Sequence, residues 1–238
     1  MYLKVGREML PTPAKSHYTF NLRDVSKVFQ GMLMINPKEC PSSDVMSRLW
    51  IHESMRVFHD RLINNDDKST FTHLVQELTA RYFGRSGSGW THEDLFEKQP
   101  ILFVDFLRPS MDDGPGPYEE ALDGKKIVAL LDDALDDYNL SNPSQMKLVF
   151  FRDAVEHITR IKRILRQPRG NAMLVGVGGS GKQSLTRMAC HMGSVQIFQI
   201  ELVRGYGLTE FREDLKKVML TAGVAGKPLA FLFGEIRT

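Results

Sequence analysis

The stretch LVGVGGSGKQSLTRMA, residues 174–189, constrains this chain more than any other. Gly176 to Lys182 follows the pattern G-x-x-x-x-G-K. In such a loop the glycines let successive backbone N–H groups turn inward onto phosphate oxygens, where side chains would block the approach. Lys182 adds a compact positive charge for the outer phosphates, and a helix beginning there adds the positive end of its dipole. The pattern needs a strand before it and a helix after it. The apolar run NAMLV predicts the strand, and the residues from Gln183 predict the helix. A phosphate-binding loop is therefore expected over Gly176, Val177, Gly178, Gly179, Ser180, Gly181, Lys182, Gln183 and Ser184. A glycine-rich turn without a ligand is the plain alternative.

Two positions depart from a working metal site. The residue after the lysine normally brings a hydroxyl to Mg²⁺, and here it is Gln183, whose amide is a poorer ligand. Ser184 lies one residue on, about 100° around the helix. The run PLAFLF predicts the strand that should carry the acidic half of the site, but Gly234 takes the place of its aspartate. Glu235 is left as the only carboxylate and the candidate catalytic residue; an exposed residue at the chain end is an equal reading. ATP or ADP is the expected cofactor, with Mg²⁺ held weakly or not at all.

The remaining pattern splits in two. FNLRDVSKVFQGMLM predicts a helix with Asn21 as its cap and Asp24 near the positive end of its dipole; Leu22, Val25, Phe29 and Met32 are its expected apolar face. Helices follow over residues 44–63 and 69–83, so the first part reads as a small helical bundle. GRSGSGW and RPSMDDGPGPYEE are flexible punctuation, and between them QPILFVDFL reads as a strand or a buried connector. Beyond Pro117 come an acidic amphipathic helix, a helix over residues 144–167, and then strands alternating with helices. That alternation predicts a parallel sheet covered by helices. The chain ends just after the third of those strands, so the sheet is expected to be incomplete.

Composition excludes several classes. A net charge of +2 gives no electrostatic case for nucleic acid. Cys40 and Cys190 are far apart, and no His or Cys spacing suggests a metal. The N-terminus lacks a secretory h-region, and no apolar run approaches the ~20 residues of a membrane helix. The chain reads as soluble, cytosolic and without a membrane partner.

GNAMLVGVGGSGKQSLTR, preceded by YNLSNPSQMKLVFFRDAVEHITRIKRILRQPR and followed by FQIELVRGYG, resembles the fourth AAA+ module of axonemal dynein heavy chains. HYTFNLRDVSKVFQGM resembles the start of the small helical lid of the preceding, third module. The resemblance covers nearly the whole chain and is far more specific than a bare phosphate loop. It implies an α/β fold of the P-loop NTPase (AAA+) class. A helical lid is expected over residues 1–84, a linker over 85–116, and a large domain with an incomplete parallel sheet over 117–238.

The resemblance also implies a fragment of a ring-shaped, ATP-driven, minus-end-directed microtubule motor that bends cilia and flagella. The implied location is the cytoplasm, the cytoskeleton and the axoneme. The implied partners are the other modules of the ring and subunits of the dynein complex, with microtubules met only through parts outside this chain. Gly176, Gly178, Gly179, Gly181, Lys182, Gln183 and Ser184 match the family's loop, and Arg23 resembles the sensor arginine that a lid offers to the nucleotide of the third module. Axonemal members usually continue FLF with T-D-T-Q, where this chain reads Gly234-Glu235-Ile236-Arg237. Two other readings stand beside this one: an interaction fragment that docks on ring parts without nucleotide, and an independent small P-loop enzyme such as a nucleotide kinase.

Overall fold

The computed structural model describes residues 1–83, 93, 101–109, 114–200 and 204–234. They fall into two compact units, Met1–Gly124 and Lys125–Thr238. Among the described residues no helix is long and apolar enough to cross a membrane.

The first unit is a helical bundle: α1 (Tyr2–Glu8), α2 (Leu22–Met32), α3 (Ser43–Val57) and α4 (Asn65–Tyr82). The expected Asn21 cap forms as a full capping box. Asn21 Oδ1 accepts from the Arg23 amide at 2.8 Å, and the Asn21 amide donates to Asp24 Oδ2 at 3.0 Å. Ser42 and Asn64 cap α3 and α4 in the same way, each taking a donor that a helix start leaves without an intrahelical partner. Val5, Tyr18, Val28, Leu49, Phe58, Phe71 and Val75 form the core, with the Phe58 and Phe71 rings stacked 5.9 Å apart. Each such side chain contributes roughly 1.5–3 kcal/mol on full burial.

Sequence periodicity misplaces the face of α2. Leu22 is 69% exposed and Phe29 57%, while Asp24, Val28 and Gly31 turn inward. Asp24 tolerates burial because Arg61 Nη2 donates to its Oδ1 at 2.5 Å and the Asn21 amide occupies its other oxygen. Helix α1 carries no cap signal and is absent from the sequence expectation; it is held by the complete burial of Val5. Helix α3 stops at Val57 rather than reaching residue 63, and a 3₁₀ turn over His59–Arg61 completes that segment.

The connector resolves as both of its readings. Ile101–Val104 is buried, and β1 (Phe103–Val104) pairs antiparallel with β2 (Glu119–Glu120), Phe103 opposite Glu120. Polar side chains on α3 hold it to the bundle. Arg48 Nε donates to Glu120 Oε1 at 2.5 Å, and the Tyr118 hydroxyl donates to the buried Glu53 at 2.8 Å. His52 Nδ1 lies 2.7 Å from the Ile101 carbonyl; since a carbonyl only accepts, that nitrogen carries the proton.

The second unit holds α5 (Gly124–Ser141), α6 (Arg152–Arg166), α7 (Lys182–Met192) and α8 (Leu208–Met219). Strands β3 (Gln196–Gln199) and β4 (Leu229–Leu232) pair in parallel, Gln196 opposite Leu229, with α8 on the connection between them. Ile127, Leu131, Leu135 and Tyr138 line the buried side of α5, and Asp132, Asp133 and Asp136 face water as expected.

Two expectations here need correction. Residues 144–151 are not helical, so α6 starts eight residues late. The Asn139 side chain explains this: its Oδ1 accepts from the Met146 amide at 2.7 Å and its Nδ2 donates to the Met146 carbonyl at 3.0 Å, using both backbone groups a helix would need. The run 171–175 forms no strand among the described residues, with Met173 90% and Val175 84% exposed. An apolar run of this kind becomes a parallel strand only when ladder neighbours cover it, and β4 pairs with β3 alone here.

Candidate functional site

The loop predicted from sequence is a single surface turn leading into α7. Gly179 and Gly181 have φ of +78° and +79°, the left-handed region that favours glycine. Gly181 is the N-cap of α7 and has no side chain to close the helix start. A Cβ placed on Gly178, Gly179 or Gly181 would meet nothing within 4 Å. These glycines are therefore not required by packing. They leave a stretch of backbone without side chains at a helix N-terminus, the arrangement that receives phosphate.

Lys182 closes the turn. Its Nζ donates to the Gly176 carbonyl at 2.6 Å, the Val177 carbonyl at 2.7 Å and Ser180 Oγ at 3.1 Å. All three ammonium donors thus point across the loop. Gly176 is the tight position, since a Cβ there would stand 3.3 Å from Ser180 Oγ. Val177 is exposed, and Ser184 is half-buried in the first turn of α7. A phosphate oxygen reaching Lys182 would take the place of one of these acceptors.

The metal half is different. Gln183 is exposed, and its Nε2 lies 3.1 Å from where a Cβ on Gly234 would stand. The two positions expected to carry metal ligands therefore do meet, and they bring an amide and a hydrogen atom. Among the described residues no group of three His, Cys, Asp or Glu could hold a metal ion. Glu235 lies outside the described residues. Among the described residues, Gln183 and Gly234 offer Mg²⁺ neither a hydroxyl nor a carboxylate.

Arg23 is exposed in the first turn of α2 and belongs to the first unit, whereas the loop belongs to the second. A hollow of about 480 Å³ lies at the far end of α7, beside Asp137, Cys190 and His191. His191 Nε2 is 2.9 Å from Asp137 Oδ2, and burial pushes the Cys190 thiol up to about 11, so it stays protonated at neutral pH.

Sequence reasoning missed Gly170. A Cβ there would fall 1.9 Å from the Ile164 carbonyl oxygen, so only glycine lets the chain turn out of α6 toward the loop. The signal was present: Pro168 after a helix, then glycine.

A family model described as "P-loop containing dynein motor region D4" matches residues 146–237, and one described as "AAA+ lid domain" matches residues 1–88. The chain is 49% identical over 235 residues to dynein axonemal heavy chain 6 of Homo sapiens and 46% identical over 239 residues to dynein axonemal heavy chain 1 of the same species. It is 41% identical over 244 residues to dynein axonemal heavy chain 3 of Mus musculus.

The chain belongs to the axonemal dynein heavy-chain family.

Each of these matches takes 99% of this chain but only 5% or 6% of the relative, so the chain corresponds to a small segment of a dynein heavy chain. The α/β reading of the AAA+ class agrees with both family models and with the helical first unit and parallel β3–β4 pair.

Proposed function

We propose that this chain is a nucleotide-holding segment of the motor ring of an axonemal dynein heavy chain, binding ADP or ATP through Gly176–Ser184. The observation that carries the proposal is the Lys182 ammonium poised across a left-handed glycine turn at the start of α7. The match of residues 146–237 to a dynein motor region D4 supports reading the loop-bearing part of residues 117–238 as the fourth module. On this reading residues 1–84 are the lid of the third module and 85–116 join the two. Arg23 is then the cation that the lid offers to the third module's nucleotide.

Minus-end-directed movement along microtubules in cilia and flagella is the work of the whole heavy chain. Within it this segment is a static or regulatory joint of the axonemal and cytoskeletal machine. Phosphoryl transfer relies on a positioned metal to neutralise developing charge, and Gln183 with Gly234 supplies no such site. Binding without appreciable turnover follows. The test is equilibrium titration of the purified chain with ADP: Lys182→Ala should weaken binding about ten- to a hundredfold, one charge-assisted contact. Equal affinity in variant and parent would remove the loop from the account.

A second reading, a docking piece with an idle loop, draws support from the exposed Leu22, Phe29 and Leu33 on and beside α2. The same titration decides between the two.

A further inference from the structure

We infer that this loop holds a nucleoside diphosphate without magnesium, the Gln183 amide standing where a metal would otherwise bridge helix and strand. The inference rests on the nucleotide reading above and adds the chemical form of the ligand. Phosphate loops grip Mg²⁺ between the hydroxyl that follows their lysine and an acidic residue of the partner strand. In this chain the corresponding positions are Gln183 and Gly234, and the fold brings them together. Gln183 Nε2 stands 3.1 Å from the point where a side chain on Gly234 would begin. The amide thus reaches from the first turn of α7 to the backbone just after β4.

Mg²⁺ takes hard oxygens in near-ideal octahedral geometry and gives up its water reluctantly. Among the described residues, a glutamine NH₂ facing a glycine offers it no oxygen ligand. The same NH₂ carries two donors, and a donor at this spot serves a phosphate oxygen directly. Charge then selects the nucleotide. Lys182 is the single charged residue between Gly176 and Ser184. With no metal to offset it, the third phosphate of ATP brings further negative charge to the same lone cation. The diphosphate is the better match. An amide rotated to present its carbonyl would favour a cation instead, and comparing binding with and without magnesium separates the two arrangements.

The experiment is calorimetric titration of the full chain with ADP and with ATP, in EDTA and in millimolar magnesium chloride. ADP affinity is expected to agree within about twofold between the two buffers, with ATP weaker than ADP in EDTA. Gln183→Ala should lower ADP affinity about tenfold in both buffers, the loss of one hydrogen bond to a charged group. The double change Gln183→Thr, Gly234→Asp should make ATP binding magnesium-dependent by about tenfold or more. ADP binding by the parent that disappears in EDTA overturns the inference, as does a Gln183→Ala variant that binds like the parent. No ADP binding in either buffer, by a chain whose helical circular dichroism is intact, overturns the nucleotide reading itself.

Discussion

The ammonium nitrogen of Lys182 stands 2.6 Å from the carbonyl oxygen of Gly176, six residues earlier in the chain. Together with its bond to Val177 it ties the entry of the loop to the start of α7. The turn is therefore shaped by its own lysine, and a phosphate arriving there competes with carbonyl oxygens for donors already gathered in one place. Displacing those carbonyls from Lys182 is therefore part of the cost of binding a phosphate.

Gly178 and Gly181 should separate ligand binding from folding. Gly178 lacks a positive φ and has open space where a Cβ would go, so Gly178→Ala should change stability by less than about 0.5 kcal/mol. A phosphate held against the Gly178 backbone leaves no room for a methyl group, and ADP affinity should fall about tenfold or more. Gly181→Ala forces a side chain into the left-handed region and should cost about 1–2 kcal/mol of stability as well. Urea denaturation beside ADP titration reads both, and a Gly178→Ala variant that binds like the parent would contradict this use of the glycine.

Gly170→Ala should destabilise the second unit by about 1–3 kcal/mol without touching a ligand. The added Cβ would lie 1.9 Å from backbone, the Ile164 carbonyl, which cannot swing aside as a side chain would. A thermal melt of parent and variant checks this, and coincident curves would mean the turn after α6 is softer than its geometry implies.

The relation between sequence and structure follows from the range of each interaction. The Asn21 and Asp24 pair was legible because a capping box is settled within four residues. The inward face of α2 was not, because the residue that makes burial of Asp24 tolerable is Arg61, which lies 37 positions away. The break over residues 144–151 is marked by one asparagine clamp from the preceding helix, which no periodicity records. In the loop, glycines, lysine and helix start all lay in one short motif. The meeting of Gln183 with Gly234 needed the tertiary path of β4.

Acid should loosen the first unit partly through Asp67. Burial, the largest single influence on this carboxyl, pushes it up; hydrogen bonds from Lys15 and Tyr18, with the Lys15 charge, outweigh burial and hold it below its ordinary value. The ordinary value is about 3.9. A depressed carboxyl contributes stability that is present above that value and is lost as pH falls through the lower folded one. Lys15 is raised, chiefly by its hydrogen bond to Asp67, so its contribution is present at neutral pH and lost only in strong alkali. The urea midpoint, followed by circular dichroism, should fall below about pH 4, and less steeply in Asp67→Asn. Identical acid limbs in the two proteins would remove Asp67 from the explanation.

The most direct test of the account is backbone amide hydrogen exchange across residues 176–184 with and without ADP. The loop is exposed from Gly176 to Ser180 and should exchange fast when free. With ADP at about 100 times its Kd, the account predicts protection of the Gly178–Lys182 amides by up to about a hundredfold. Lys182→Ala at the same ADP concentration should lose most of that protection. ADP that binds while these amides exchange as before, with protection arising elsewhere in the chain, would contradict the account.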